Sequence, residues 1–186
     1  MFIQTEATPN PATVKFIPGQ TVLQTGSADF PTRESAQGRS PLAERLFDLD
    51  GVAGVFLGQD FVSITKSDDK NWLTLKPLIL GALFEHFSNG QPILNDAAAS
   101  GVFVPSAEDS EVVTQIKELL DTQIRPSVAR DGGDIAFDSY EDGIVYLRMQ
   151  GACSGCPSST VTLKMGIESM LKHYIPEVVE VRAVQD

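Results

Sequence analysis

The hydrophobic pattern that organises most of this chain breaks down between Ser88 and Ala107, where Gly, Pro, Asn and small residues replace any sustained period. A 186-residue chain interrupted near its middle has the material for two small domains rather than one large core. A stretch of that length without a pattern is expected to tether domains. The expected organisation is therefore residues 1–87 as one domain, 88–107 as a linker and 108–186 as a second domain. Within the linker, Val102-Phe103-Val104 is able to add a short strand.

The fold class expected is α+β, with two small α/β-type domains. In the first, Val14–Ile17 follows the breaker-rich Thr8-Pro9-Asn10-Pro11 and reads as a strand. Ser40-Pro41 reads as an N-cap with proline at the first helical position, opening a helix to about Asp48. Val52–Leu57 and Phe61–Thr65 flank Gly58-Gln59-Asp60 as a hairpin. A longer helix runs from the low seventies to Phe87, with Leu75, Leu78, Ile79, Ala82, Leu83 and Phe87 as its buried stripe and Asn89-Gly90 as its stop. Pro77 requires that this helix either begin near Thr74 or kink.

The second domain reads helix, strand, strand, helix, strand. Val112, Ile116, Leu119, Leu120 and Ile124 share one helical face, and Pro126 bends or ends that helix before Asp131-Gly132-Gly133 stops it. Strands at Ile135–Ser139 and Ile144–Met149 meet at Asp142-Gly143, a strong hairpin signal. A helix from Pro157 to Tyr174 turns Leu163, Ile167, Met170, Leu171 and Tyr174 inward, and Val178–Val184 closes as the last strand.

Charge and composition exclude several classes. The net charge of −11 opposes nucleic-acid binding, which needs clustered Lys and Arg. The acidity is concentrated after residue 107: residues 1–87 sum to −3 and residues 108–186 to −7. No apolar run approaches the roughly 20 residues that span a bilayer. The start, Met1-Phe2-Ile3-Gln4-Thr5-Glu6, resembles neither an export signal nor an organellar presequence, so a cytoplasmic protein is expected.

The chain has two cysteines, spaced as Cys153-Ser154-Gly155-Cys156. With no secretory signal, this pair points to metal or redox chemistry rather than to a disulfide scaffold. Two thiolates separated by two residues can grip one metal from a single turn. Pro157 suits the first position of a helix, which makes Cys156 its N-cap and exposes its sulfur to free backbone N–H groups and the helix dipole. Those surroundings favour a thiolate. Gly151, Ser154 and Gly155 leave room for backbone amides to approach the sulfurs.

One pair is half a ligand set, because tetrahedral zinc and [4Fe–4S] clusters both take four ligands. His173 falls roughly 25 Å along the second helix from the cysteines, and His86 falls in the other domain, so both read as structural. The missing ligands must come from another molecule, and a symmetric dimer would supply four thiolates around an exposed, removable cluster. Thiol–disulfide exchange and zinc binding stay open on motif and spacing alone. The carboxylates of Asp131-Gly132-Gly133-Asp134 are poor partners for a soft site, and the glycines read as a helix-to-strand turn needing positive φ.

The run Gly151-Ala152-Cys153-Ser154-Gly155-Cys156-Pro157-Ser158-Ser159-Thr160, with Arg125-Pro126 and Asp131–Asp134 before it, resembles the NifU C-terminal-like domain. Met1–Glu6, Thr8-Pro9-Asn10-Pro11 and Lys15-Phe16-Ile17-Pro18-Gly19 are similar to the N-terminal domain of Nfu proteins. The resemblance implies a scaffold or carrier, not a conventional enzyme, in which Cys153 and Cys156 bind a [4Fe–4S] cluster shared across a homodimer. It implies transfer of that cluster to apo-proteins, lipoyl synthase and respiratory iron–sulfur subunits among them. The N-terminal domain is implied to hold no cluster ligand and to contact partners or orient the dimer. Mitochondrial members begin with a presequence, so the resemblance makes this chain a bacterial one.

Overall fold

The structure, a computed structural model, describes residues 1–95, 109–155 and 157–184. Its contacts divide the chain into two compact units, one within residues 1–101 and one within 102–186.

The first unit is a five-stranded antiparallel sheet with helices packed on it. Its strands are β1 (Gln4–Ala7), β2 (Thr13–Ile17), β3 (Ala28–Phe30), β4 (Val52–Leu57) and β5 (Val62–Lys66), in the order β1-β2-β5-β4-β3. The β4–β5 hairpin forms where expected, with Leu57 opposite Val62. Its helices are α1 (Arg33–Ala36), α2 (Pro41–Phe47) and α3 (Trp72–Ser88). Ser40 caps α2 as its sequence position indicates: its Oγ accepts from the Ala43 N–H at 3.0 Å. β1 and β3 have weak local patterns and form the two edges of the sheet, while Thr32 caps α1, its Oγ1 accepting from the Ser35 N–H.

α3 begins at Trp72, capped by Asn71, so Pro77 lies in its second turn instead of its first. The Leu73 carbonyl thereby loses its helical donor, but Leu73 is exposed and water can replace it. Leu75, Ile79 and Leu83 are buried as the stripe predicts, whereas Leu78 points outward. His86 takes an inner position instead. Gly90, at φ 62°, follows the Asn89 C-cap and ends the helix.

The tether does not begin at Ser88. Ile93 and Leu94 pack on the first core. The buried Ser40 Oγ donates to the Ile93 carbonyl at 2.6 Å, and the Asn95 N–H donates to the Arg39 carbonyl at 2.8 Å. The expected linker is therefore integrated into the first unit through Asn95. Its remainder, including Val102-Phe103-Val104, lies outside the described residues.

The second unit follows the helix, strand, strand, helix, strand order. Its helices are α4 (Glu111–Leu119), α5 (Arg125–Arg130) and α6 (Pro157–Tyr174); its strands are β6 (Gly133–Glu141), β7 (Ile144–Gly151) and β8 (Glu180–Val184). β6 and β7 are antiparallel and joined by a turn with positive φ at Asp142 and Gly143. β8 lies parallel to β7, so α6 serves as the crossover between them. Ile135, Val145, Leu147 and Val181 from the sheet meet Ile167 and Leu171 from α6 in one core.

Pro126 neither ends nor simply bends the first helix of this unit. A π-helical turn over Leu120–Ile124 links α4 directly to α5, where Pro126 occupies an opening position that needs no N–H. Ile116, Leu120, Ile124 and Val128 are all buried. That four-residue spacing drifts about 40° per step on a regular α-helix, and the wide turn offsets the drift.

Candidate functional site

Cys153 lies in the turn between β7 and α6, built by backbone geometry that only glycine adopts easily. Gly151 ends β7 at φ 62° and Gly155 follows Ser154 at φ 78°. The Cys153 N–H donates to the Gln150 carbonyl at 3.3 Å, and the Ser154 N–H to the Gly151 carbonyl at 3.1 Å. On the other side, Thr160 Oγ1 in the first turn of α6 donates to the Cys153 carbonyl at 3.1 Å. The helix start thus holds the cysteine backbone directly. α6 opens at Pro157 as the sequence indicates. Cys156 lies outside the described residues.

The Asp131–Asp134 segment forms the opposite wall, and its two glycines have different tasks. Gly132 takes φ 81°, as a turn glycine must, and its carbonyl accepts from the Ala152 N–H at 3.2 Å. Gly133 has no positive φ; it sits opposite Gly151 in the β6–β7 register. A Cβ at Gly133 would lie 2.4 Å from Cys153 Sγ and 2.8 Å from the Gln150 carbonyl oxygen. Gly133 is therefore required for close approach to the thiol.

Asp134 is not aimed at a metal. Arg125 Nε donates to Asp134 Oδ1 at 2.9 Å and Nη2 to Oδ2 at 2.6 Å, a two-pronged and largely buried ion pair. Asp134 Oδ1 also accepts from the Ile135 N–H at 2.8 Å, while Arg125 Nη1 reaches Asp121 at 3.1 Å. The pair ties the start of α5 to the start of β6 and so fixes the wall on which Cys153 packs. Arg125 and Asp134 both fall in the sequence motifs, but nine residues of spacing gave no sign that they meet.

Cys153 is 5% exposed in the single chain and belongs to the hydrophobic core of its unit. Burial first, and then the nearby Asp131 and Asp134 carboxylates, push its thiol up to about 12. The helix-start argument, which lowers a thiol pKa, was made for Cys156 and does not extend to Cys153.

The histidines stand where structural residues stand. His86 is buried in the first unit, with Nε2 3.1 Å from the Pro92 carbonyl. His173 is exposed near the end of α6, edge-on to Tyr174. Tyr174 is itself exposed, contrary to its expected inward position. Among the described residues, no three or more His, Cys, Asp or Glu converge on one point.

Comparison with known proteins identifies the framework. The profile described as "Scaffold protein Nfu/NifU N terminal" matches residues 3–90, and that of the "NifU-like domain" matches residues 116–182. A human protein, NFU1 iron-sulfur cluster scaffold homolog, mitochondrial, is 52% identical over all of this chain and 73% of its own length. The chain belongs to the Nfu/NifU family. A second relative, NifU-like protein 4, mitochondrial, of Arabidopsis thaliana, is 57% identical over 96% of this Nfu-family chain. The chain spans 64% of that relative's length. A solved NifU-like protein from Saccharomyces cerevisiae matches with a TM-score of 0.47 and 25% identity, over 52% of this chain and 86% of its own.

These relatives overturn the expectation of a bacterial cytoplasmic protein. Plant, human and Drosophila members are all named mitochondrial. The sequence beginning at Met1 carries no weight against that. No helix among the described residues is long and apolar enough to cross a membrane.

Proposed function

We propose that this Nfu-family protein is an iron–sulfur cluster scaffold and carrier whose cargo is a [4Fe–4S] cluster. Cys153 and Cys156 ligate the cluster, the same pair on a second chain completes it, and the loaded dimer hands it to apo-proteins. The relatives' names support the scaffold role. The observation that carries the reading in this chain is the built turn of Cys153, with its thiol against Gly133 and its carbonyl held by Thr160. Because no fuller ligand set converges among the described residues, the cluster's other ligands are assigned to a second chain.

The chemistry of the thiol suits a carrier. At neutral pH Cys153 is protonated, so taking up iron displaces a proton, and the cation cancels the repulsion from Asp131 and Asp134. On transfer, an acceptor thiolate forms a bond to one iron while the bond from that iron to Cys153 breaks. The departing sulfur then picks up a proton, which burial and the nearby Asp131 and Asp134 carboxylates favour. Iron and sulfide leave with no change in oxidation state. A dithiol oxidoreductase relies on an attacking thiol of lowered pKa, and Cys153 is shifted the other way.

Anaerobic reconstitution of Cys153→Ala with iron and sulfide tests the assignment. The variant should fold and take up no cluster. A full cluster on Cys153→Ala would overturn the proposed site.

A further inference from the structure

A cluster shared between chains, as proposed above, must sit at the surface, yet the thiol assigned to it does not. Cys153 is 5% exposed and packs in the core of the second unit. Its sulfur stands so close to Gly133 that a Cβ there would lie 2.4 Å away. Ala152 before it is buried as well, while Ser154 and Gly155, next along the turn, are exposed. Packing at the density of a protein interior leaves no room for an iron beside that sulfur. The thiol has to leave its place before it binds.

Three ties hold the turn around it. The Ala152 N–H donates to the Gly132 carbonyl at 3.2 Å, and the Cys153 N–H to the Gln150 carbonyl at 3.3 Å. Both acceptors lie on the strand side, next to β6 and at the end of β7. The third tie comes from the helix side, where Thr160 Oγ1 donates to the Cys153 carbonyl at 3.1 Å. This last bond is only partly buried, so water can replace it when it breaks. Beyond Cys153 the chain runs through Ser154 to Gly155, whose positive φ marks a position of wide backbone freedom. The turn can therefore swing from its helix side while its strand side stays fixed.

We infer that Thr160 is a latch on the cysteine turn: its hydroxyl keeps the Cys153 thiol sheltered, and its release lets the sulfur reach cargo. This rests on the carrier reading above and adds how the ligand is stored and uncovered. Thiol oxidation follows exposure, so shelter protects an unloaded carrier, and a local opening uncovers the sulfur without unfolding the unit.

The test labels full-length Cys156→Ser, in which Cys153 is the sole cysteine, with N-ethylmaleimide in the absence of cluster. Labelling should be at least about a hundredfold slower than in the same chain unfolded in urea, yet faster than global unfolding permits. Adding Thr160→Val should speed it about fivefold, the worth of one ordinary hydrogen bond. Thr160→Ser keeps the hydroxyl and should not speed it. Thr160→Val alters no charge, so a thiol slowed only by its reluctance to ionise would label at an unchanged rate. With both cysteines present, Thr160→Val should also take up iron and sulfide about fivefold faster. Native labelling as fast as in urea, a rate that tracks global unfolding, or no gain from Thr160→Val in labelling or uptake would overturn the latch. Labelling involves no cluster, so its outcome is separate from that of the carrier reading. A wild type that takes up no cluster would defeat that reading, and the latch's role in loading with it.

Discussion

At the scale of single residues, the site depends on how Cys153 is walled in. Gly133→Ala would drive a methyl group into Cys153 Sγ and two backbone atoms, one of which, the Gln150 carbonyl oxygen, cannot easily move. Overpacking of this kind costs typically about 1–3 kcal/mol. Chemical denaturation should show the second unit destabilised by about that amount, with cluster uptake reduced in parallel. Asp134→Asn leaves the Arg125 guanidinium largely buried without its carboxylate partner. Breaking a buried pair from one side costs about 3–5 kcal/mol, and the exposed Asp121 contact should bring this variant to the low end of that range. Little or no loss of stability for Asp134→Asn would show that the pair does not hold the wall. The cysteine spacing and Pro157 were legible in the sequence because both are local. The role of Gly133 and the Arg125–Asp134 pair were not, because they arise when α5, β6 and the cysteine turn come together.

At the scale of elements, α3 shows where a helical pattern succeeds and where it does not. Its length and apolar stripe make it a helix, but the pattern could not settle that Leu78 faces out and His86 faces in. Burial of His86 lowers its pKa, and the nearby Arg45 cation acts in the same direction. In the unfolded chain, His86 binds a proton below about pH 6.5, while the folded chain resists doing so. The stability linked to His86 is therefore fully present above that pH and declines as pH falls toward the lowered folded value. Urea midpoints measured between pH 8 and pH 5 should fall for the wild type and fall less for His86→Gln. Equal slopes would exclude His86 as the source. In α2, Ser40→Ala removes both the helix cap and the tie to Ile93. A loss of about 2 kcal/mol is expected in the first unit, and a loss no larger than an ordinary cap would mean that the Ile93 tie adds nothing. That tie also explains why residues 88–95 belong to the first unit: small polar residues after Ser88 look unpatterned, yet Ile93 and Leu94 pack on the first core.

At the scale of the whole molecule, the chain forms two compact units. The first builds a core without cysteine, and the second places Cys153 in a hydrogen-bonded turn between β7 and α6. The order of elements in the second unit was legible because each has a clear period and a clear stop. The parallel placement of β8 and the π-helical turn before Pro126 were not, because long-range pairing and core register decide them. The expectation of a bacterial cytoplasmic setting fails for a simpler reason: it rested on the start of the chain, which does not report an address, and the relatives are named mitochondrial. The central claim is that two chains share one cluster through Cys153 and Cys156. Native mass spectrometry of the anaerobically reconstituted full-length protein tests it most directly. The expected species is two chains carrying four irons and four sulfides, lost in both Cys153→Ala and Cys156→Ala; a single chain holding a complete cluster, or a dimer holding one zinc, would contradict it.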